Sequence, residues 1–213
     1  MKAAPRGVSE RITPPPARRR DRDPSLTSEV SLTASGEPSD ADVVAQVLAG
    51  DGEAFGVLIA RYEGGLLRLA ARMLGGRDAA ADAVAEGLVR AYRHLGSCRE
   101  PARFRTWVYR IVANRCKSHL ARRPIGDVSL DDAPPVAAPE NADSGLDRRE
   151  QLERLERALA QLAPEKREAF VLKHLDGMSY EEMSSVTGAR IPTLKMRVHR
   201  AREALLAALK EPQ

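Results

Sequence analysis

The residues best suited to specific chemistry lie near the end of the chain, in the segment 190–202. This segment carries five arginines and lysines and no acidic residue. Such cations can bind phosphate oxygens or the acceptor edge of guanine, and a methionine or histidine among them can contact thymine methyls or base edges. Apolar residues recur at helical period on the other side: Leu194, Val198, Ala201 and Leu205. The pattern predicts a helix that reads DNA, with a solvated basic helix as the alternative.

A short helix and a tight turn are predicted just before this segment. Ser179 and Glu182 have the spacing of a capping box, which begins a helix by satisfying its free backbone donors. Gly188 suits a turn that needs a positive φ, and Pro192 suits the first turn of the next helix. Together these signals predict a helix-turn-helix, whose second helix enters the major groove. They favour DNA binding over a solvated basic helix.

A second basic segment, residues 99–123, contains aromatic residues. It has eight arginines and lysines against one acid, Glu100, and it holds three of the chain's eight aromatic residues. Positive charge beside aromatic surface is what binding of single-stranded nucleic acid requires. The alternative is that the aromatic side chains belong to the core. Helical spacing favours the core for Phe104 and leaves both interpretations open for Trp107 and Tyr109.

The elements that must position these two segments all have helical periodicity. Between 40 and 123, four apolar stripes separated by glycines predict a compact helical bundle, and residues 151–213 return to the same period. Residues 124–150 contain four prolines and an excess of acids, which predicts a flexible acidic linker. Residues 1–39 predict a disordered N-terminal extension, whose arginine cluster at 18–22 could dock on nucleic acid or remain solvated. The predicted fold class is all-α, with two small helical domains joined by the linker.

Composition excludes several other classes of protein. A net charge of +4 over 213 residues is mild, so nucleic-acid binding must be argued from where the charges lie. Two cysteines are too few for a secreted disulfide scaffold, and no apolar stretch is long enough for a membrane helix. There is no Gly-rich phosphate loop and no nucleophile elbow. We therefore expect a soluble cytoplasmic protein that is not an enzyme, needs no cofactor and does not insert into a membrane.

The two cysteines, Cys98 and Cys116, leave two minor alternatives open. With His94 and His119 they could gather on a metal ion, although both histidines fit exposed helix ends better. Cys98 alone could serve as a redox-sensing thiol. We predict no metal site.

The motifs of both blocks resemble those of one family. The first block contains Gly50-Asp51-x-x-Ala54-Phe55, Arg61-Tyr62 and Phe104-x-x-Trp107-x-Tyr109-Arg110-Ile111-x-x-Asn114. These are similar to region 2 of sigma-70-type initiation factors. The second block contains Leu172, Gly177-x-Ser179-Tyr180-Glu181-Glu182 and Thr193-x-Lys195-x-Arg197-x-His199-Arg200-Ala201-Arg202, similar to region 4. With only these two regions, in this order, the chain resembles the extracytoplasmic-function (ECF) group.

The resemblance implies that the chain binds core RNA polymerase and promoter DNA, and that an anti-sigma factor controls it. Region 2 would span 40–123 and region 4 would span 151–213. By the match, region 4 would bind the −35 element through Arg190, Thr193, Lys195, Met196, Arg197, His199 and Arg200. Region 2 would bind and open the −10 element through Cys98, Arg99, Arg103, Thr106, Trp107, Arg110, Asn114 and Lys117. The surface that docks on core polymerase would include Asp82, Glu86, Leu88 and Tyr92.

The chain departs from the usual family pattern at several of these positions. Ala79–Ala81 and Ala85 replace mostly polar residues beside Asp82 and Glu86, which is expected to weaken the polar part of the polymerase contact. Ser118 replaces a common acid, and Met196 replaces a common serine, which is expected to alter the −35 preference.

A stand-alone helix-turn-helix transcriptional regulator is the main alternative function. It would read an operator without polymerase, and it predicts dimerisation and a ligand or phosphoacceptor site. No acidic pocket motif, ligand-binding sheet or heptad seam is present in the sequence.

The length of the linker adds a constraint on the mechanism. Two promoter elements about two duplex turns apart are separated by roughly 70 Å. A flexible linker of about 27 residues has an r.m.s. span of only ~30 Å, although it reaches ~90 Å when fully extended. Polymerase must therefore hold the linker stretched, and we expect the isolated chain to bind promoters weakly.

Overall fold

The computed structural model describes residues 37–122 and 145–210. These residues form eight α-helices: α1 Asp40–Leu48, α2 Phe55–Leu74, α3 Arg77–Arg93, α4 Phe104–Arg122, α5 Gly145–Gln161, α6 Pro164–His174, α7 Tyr180–Thr187 and α8 Ile191–Lys210. The predicted all-α class is confirmed. Almost all of the predicted N-terminal extension and most of the predicted linker lie outside the described residues. Within them, no helix is long and apolar enough to cross a membrane.

Helices α1 to α4 form the first module, as the four apolar stripes predict. Helix α2 ends at Gly75, whose φ of 74° is a left-handed conformation that favours glycine. Helices α3 and α4 approach closely at Gly87, because a Cβ added there would lie 2.6 Å from Cγ2 of Val112. Phe104 is 1% exposed and packs against the ring of Trp107, with 5.7 Å between the ring centroids. Its predicted place in the core is confirmed.

Helices α5 to α8 form the second module, with α7 and α8 as the helix-turn-helix. Helix α7 ends at Gly188, where φ is 75°, and Pro192 lies in the first turn of α8. The predicted capping box is present: Oγ of Ser179 accepts the backbone N–H of Glu182 at 3.1 Å, and Oε2 of Glu182 accepts the backbone N–H of Ser179 at 2.7 Å. Helix α5 begins at Gly145, within the segment predicted to be linker, so the second module starts earlier than expected.

The capping box gives a direct test of how the helix-turn-helix is stabilised. Ser179→Ala removes an N-cap, which should lower the free energy of unfolding by about 0.5–2 kcal/mol. Urea unfolding of the full chain, followed by helical circular dichroism, measures this loss. Ser185→Ala is the matched control, since its exposed hydroxyl only donates to the carbonyl of Glu181 within the same helix. Equal effects of the two substitutions would contradict a stabilising role for the cap.

The two modules pack directly against each other. Helix α4 lies on α7, and α2 contacts both α5 and α6. Buried residues of α6 and α7, among them Ala169, Leu172 and Met183, belong to the same hydrophobic cluster as Leu66 and Phe104 of the first module. Helical periodicity identifies which face of a helix is buried but not which element covers it. This packing was therefore not evident from the sequence.

Candidate nucleic-acid interface

Helix α8 presents its basic side to solvent. Its apolar residues are buried, with Leu194 and Ala201 fully inaccessible. The predicted −35 residues lie on the other side and in the turn before it: Arg190, Thr193, Lys195, Met196, His199 and Arg200 are exposed, and Arg197 is half-buried. Met196 keeps 49% of its surface accessible, so its side chain is free to contact a partner. We call these seven residues the recognition surface.

The ring of Tyr180 lies beside a lysine of the recognition surface, and the sequence motifs had not assigned this tyrosine a role. The Nζ atom of Lys195 lies 5.7 Å from the centre of its ring, and Nζ of Lys173 lies 4.9 Å from it. A cation over an aromatic face is attracted by the ring quadrupole. The ring thus orients Lys195 while leaving its side chain exposed.

Lys166 of α6 is a second residue that sequence reasoning missed. It lines a shallow cavity of about 520 Å³ together with Thr193, Met196, Arg197 and Arg200 of α8. Only the packing of α6 against α8 places it there, so no local sequence signal could identify it. The cavity gives the recognition surface a concave edge with three cations, Lys166, Arg197 and Arg200, and one acid, Glu165.

The predicted −10 residues do not all reach the surface of the first module. Exposed side chains are those of Arg99, Arg103, Arg110 and Asn114, while Trp107 and Lys117 are half-buried. Cys98 and Thr106 are only 7% and 8% exposed and lie beneath this surface. Their burial is compatible with positioning the loop and helix rather than with direct contact to bases.

Trp107 and Tyr109, which the sequence could not assign to core or surface, differ in their exposure. Trp107 packs against Phe104 and keeps part of its ring accessible. Tyr109 is 3% exposed, and its hydroxyl donates to Oδ1 of Asp176 in the second module at 3.3 Å. Burial raises the pKa of Tyr109 to about 12, so the hydroxyl stays protonated and can donate. Of the pair, only Trp107 keeps accessible ring surface, which stacking on an unpaired base requires.

The predicted polymerase-binding residues lie along α3. Asp82 and Glu86 are exposed, whereas Leu88 and Tyr92 are half-buried. Glu86 forms an ion pair with Arg115 of α4, and its carboxylate lies 3.6 Å from Nε2 of His119, so it also links the two helices. Tyr92 packs edge-on against the ring of Phe55, 5.2 Å between centroids, which gives it a structural role as well.

The two minor alternatives for the cysteines gain no support. Among residues 37–122 and 145–210, no group of three or more histidine, cysteine, aspartate or glutamate side chains could hold a metal ion. Burial raises the pKa of the Cys98 thiol, and it raises the pKa of Cys116 to about 12. A redox-sensing thiol needs a low pKa and an accessible sulfur. Cys98 instead has a raised pKa and is only 7% exposed.

Two parts of the chain match models of known protein-family regions. Residues 58–124 match Sigma-70 region 2, and residues 152–205 match Sigma-70, region 4. The chain is 33% identical over 186 residues to the RNA polymerase sigma-H factor of Pseudomonas aeruginosa, a match that covers 81% of this chain and 95% of the relative. It is 34% identical over 181 residues to the ECF RNA polymerase sigma-E factor of Escherichia coli (strain K12), covering 78% and 92%.

Solved structures give a consistent comparison. CnrH, in complex with the cytosolic domain of CnrY, is similar with a TM-score of 0.61 and 28% identity, covering 80% of this chain and 96% of that chain. The sigma factor RpoE of Bartonella quintana, in complex with the anti-sigma factor NepR, is similar with a TM-score of 0.60 and 26% identity, covering 75% and 98%.

Proposed function

Since the chain belongs to the sigma-70 family of RNA polymerase sigma factors, in its ECF group, we propose that it binds core RNA polymerase and directs it to particular promoters. Residues 40–123 act as region 2, which binds core polymerase and the −10 element. Residues 151–213 act as region 4, which binds the −35 element. The observation that carries this proposal is the exposed basic side of α8 in one module, together with a basic helix bearing a half-exposed tryptophan in the other.

Recognition of the −35 element is assigned to the recognition surface. Lys195, Met196, His199 and Arg200 face the base edges, while Arg190, Thr193 and Arg197 hold the phosphate backbone. Arginine and lysine in the major groove bind the acceptor edge of guanine, and methionine supplies apolar contact to a thymine methyl. Phosphate contacts set the register of the helix without reading sequence.

Recognition and opening of the −10 element are assigned to α4 and the loop before it. Arg99, Arg103, Arg110 and Lys117 neutralise backbone phosphates, Asn114 contacts a base edge, and Trp107 offers a surface on which an unstacked base can rest. Removing a base from the duplex costs a few kcal/mol, which stacking and pocket contacts must return. Cys98 and Thr106 keep the loop and helix in place from beneath.

The remaining assignments concern partners and location. Asp82, Glu86, Leu88 and Tyr92 of α3 contact core polymerase. An anti-sigma factor is the expected regulator, because RpoE of Bartonella quintana is bound to one. The chain acts as a cytoplasmic transcription factor and not as an enzyme. A stand-alone helix-turn-helix regulator is not favoured, since both matched regions are those of sigma factors.

Transcription in vitro tests the proposal. Purified chain and core polymerase, incubated with a library of genomic fragments, should give new start sites that core polymerase alone does not give. In a gel shift, the chain without polymerase should bind the same promoters weakly, because a linker of the predicted length has an r.m.s. span of only ~30 Å and would rarely place the two modules ~70 Å apart. Tight, sequence-specific binding by the isolated chain would instead identify a stand-alone regulator, and the absence of any new start site would refute the sigma-factor function.

A further inference from the structure

A lysine at the start of α6 lies beside the recognition surface without belonging to it. Lys166 lines the shallow cavity of about 520 Å³ that the first turn of α6 shares with α8. The α8 side of this cavity carries Thr193 and Arg197, which are assigned to the phosphate backbone. It also carries Met196 and Arg200, which are assigned to the base edges. Lys166 therefore adjoins both kinds of contact that the −35 element would make.

The next residue of α6 is also a cation, but its charge is used within the protein. The guanidinium of Arg167 donates to four backbone carbonyls, among them those of Ala160 and Leu162. Lys166 is half-buried, and in the described part of the chain its ammonium forms no ion pair. Of these two consecutive cations, Lys166 is the one that is available to a partner.

The cavity carries more positive than negative charge. Its cations are Lys166, Arg197 and Arg200, and its acid is Glu165. Arg197 interacts electrostatically with the buried carboxylate of Glu168, so part of its charge is balanced from within the protein. Among the residues that the structure describes, Glu165 forms no ion pair with Lys166 or Arg200. An anion is the occupant that this excess of charge favours.

The dimensions of a DNA duplex indicate which anion would meet Lys166. A helix with its side chains is about 10–12 Å across, and the major groove is about 12 Å wide, so α8 alone fills the groove. Helix α6 packs against α8, and the axes of packed helices lie about 8–10 Å apart. A side chain of α6 on the same side as the recognition surface therefore lies over the edge of the groove. The groups at that edge are the phosphates of the backbone.

We propose that Lys166 is a further DNA-contacting residue, whose ammonium binds a backbone phosphate that borders the −35 element and enters the cavity between α6 and α8. The inference rests on the proposed function, since it takes α8 to lie in the major groove of that element. It adds a second helix to the −35 contact. Phosphate contacts fix the position of a protein on the duplex without reading sequence, so Lys166 contributes to affinity and not to sequence preference.

The salt dependence of promoter binding tests this contact. Each phosphate contact in duplex DNA adds about −0.9 to the slope of log affinity against log salt concentration. Lys166→Gln removes the charge and keeps most of the side chain. With this variant, the complex of full chain and core polymerase should bind its promoter with a slope less steep by about 0.9. Between 50 and 200 mM salt, the wild-type complex should therefore lose roughly 3.5-fold more affinity than the variant complex.

Two control variants separate a phosphate contact from other effects of the substitution. Lys166→Arg keeps the charge and should restore the wild-type slope. Arg154→Ala removes an exposed cation of α5 that does not line the cavity, and it should leave the slope unchanged. The preference for the promoter over a version with one changed −35 base pair should be the same for Lys166→Gln and the wild type, because a phosphate contact reads no base.

Ethylation of single DNA phosphates locates the contact. Ethylation removes the charge of one phosphate, so it weakens binding wherever the protein uses that charge. The wild-type complex should show an interference position at the border of the −35 element that the Lys166→Gln complex lacks. The other interference positions should be shared by the two complexes.

Each outcome supports or overturns the proposal. A Lys166→Gln chain that is folded by circular dichroism and keeps the wild-type slope and ethylation pattern would overturn it. Weaker binding to core polymerase, with unchanged promoter binding by the complex once formed, would also overturn it, because the cavity would then face the polymerase. A wild-type chain that binds no promoter together with core polymerase would instead refute the proposed function, and this inference with it.

Discussion

Replacing both Lys195 and Arg200 by alanine is expected to abolish the preference of the polymerase complex for its −35 sequence. Each lost contact to a base should cost ~1–3 kcal/mol, which corresponds to a factor of about five to more than a hundred in affinity. Both side chains are exposed on α8, so their removal should leave the fold intact. We therefore expect promoter selectivity to fall while the amount of folded protein stays the same.

Run-off transcription measures this effect as a ratio of yields from two templates. One template carries the selected promoter, and the other carries the same promoter with a scrambled −35 element. The ratio should fall close to one for the double variant. Arg154→Ala removes an exposed cation from α5, outside the recognition surface, and should leave the ratio unchanged. An undiminished ratio in the double variant would show that α8 does not read the −35 element.

Replacing Phe104 by alanine is expected to destabilise the first module by about 3–5 kcal/mol, because truncating a buried aromatic ring leaves a cavity. Phe104 is 1% exposed and packs between three other rings, with centroids 6.3 Å from Phe55, 5.8 Å from Tyr62 and 5.7 Å from Trp107. Since Trp107 rests on this ring, promoter opening should fall along with stability.

Urea unfolding of the full chain, followed by circular dichroism, measures the loss as a shift of the transition midpoint. Val57→Ala on α2 is the matched control: its side chain is 42% exposed, and surface substitutions of this kind usually change stability by less than about 0.5 kcal/mol. A loss below roughly 1 kcal/mol for Phe104→Ala would mean that the surrounding rings collapse into the space, and Trp107 would then not depend on Phe104 for its position.

The amino-acid sequence alone determined the local features of this protein. Eight helices follow from apolar residues at a period of 3.6, and the capping box at Ser179 and the glycine turn at Gly188 follow from backbone chemistry within a few residues. The core position of Phe104 and the exposed basic side of α8 follow from the same periodicity. Those features carried the resemblance to sigma factors, because their order and spacing are properties of sequence.

Only the tertiary structure decided how the elements meet. The burial of Cys98 and Thr106, the contact of Tyr109 with Asp176, and the charged interface around Glu168 join residues that are distant in sequence. From the sequence alone, a glutamate on a helix is expected to be solvated, because charged side chains are rarely buried. Periodicity states which face of a helix avoids water, while the element that covers it is set by the joint packing of the whole chain. That long-range packing brings the two modules together.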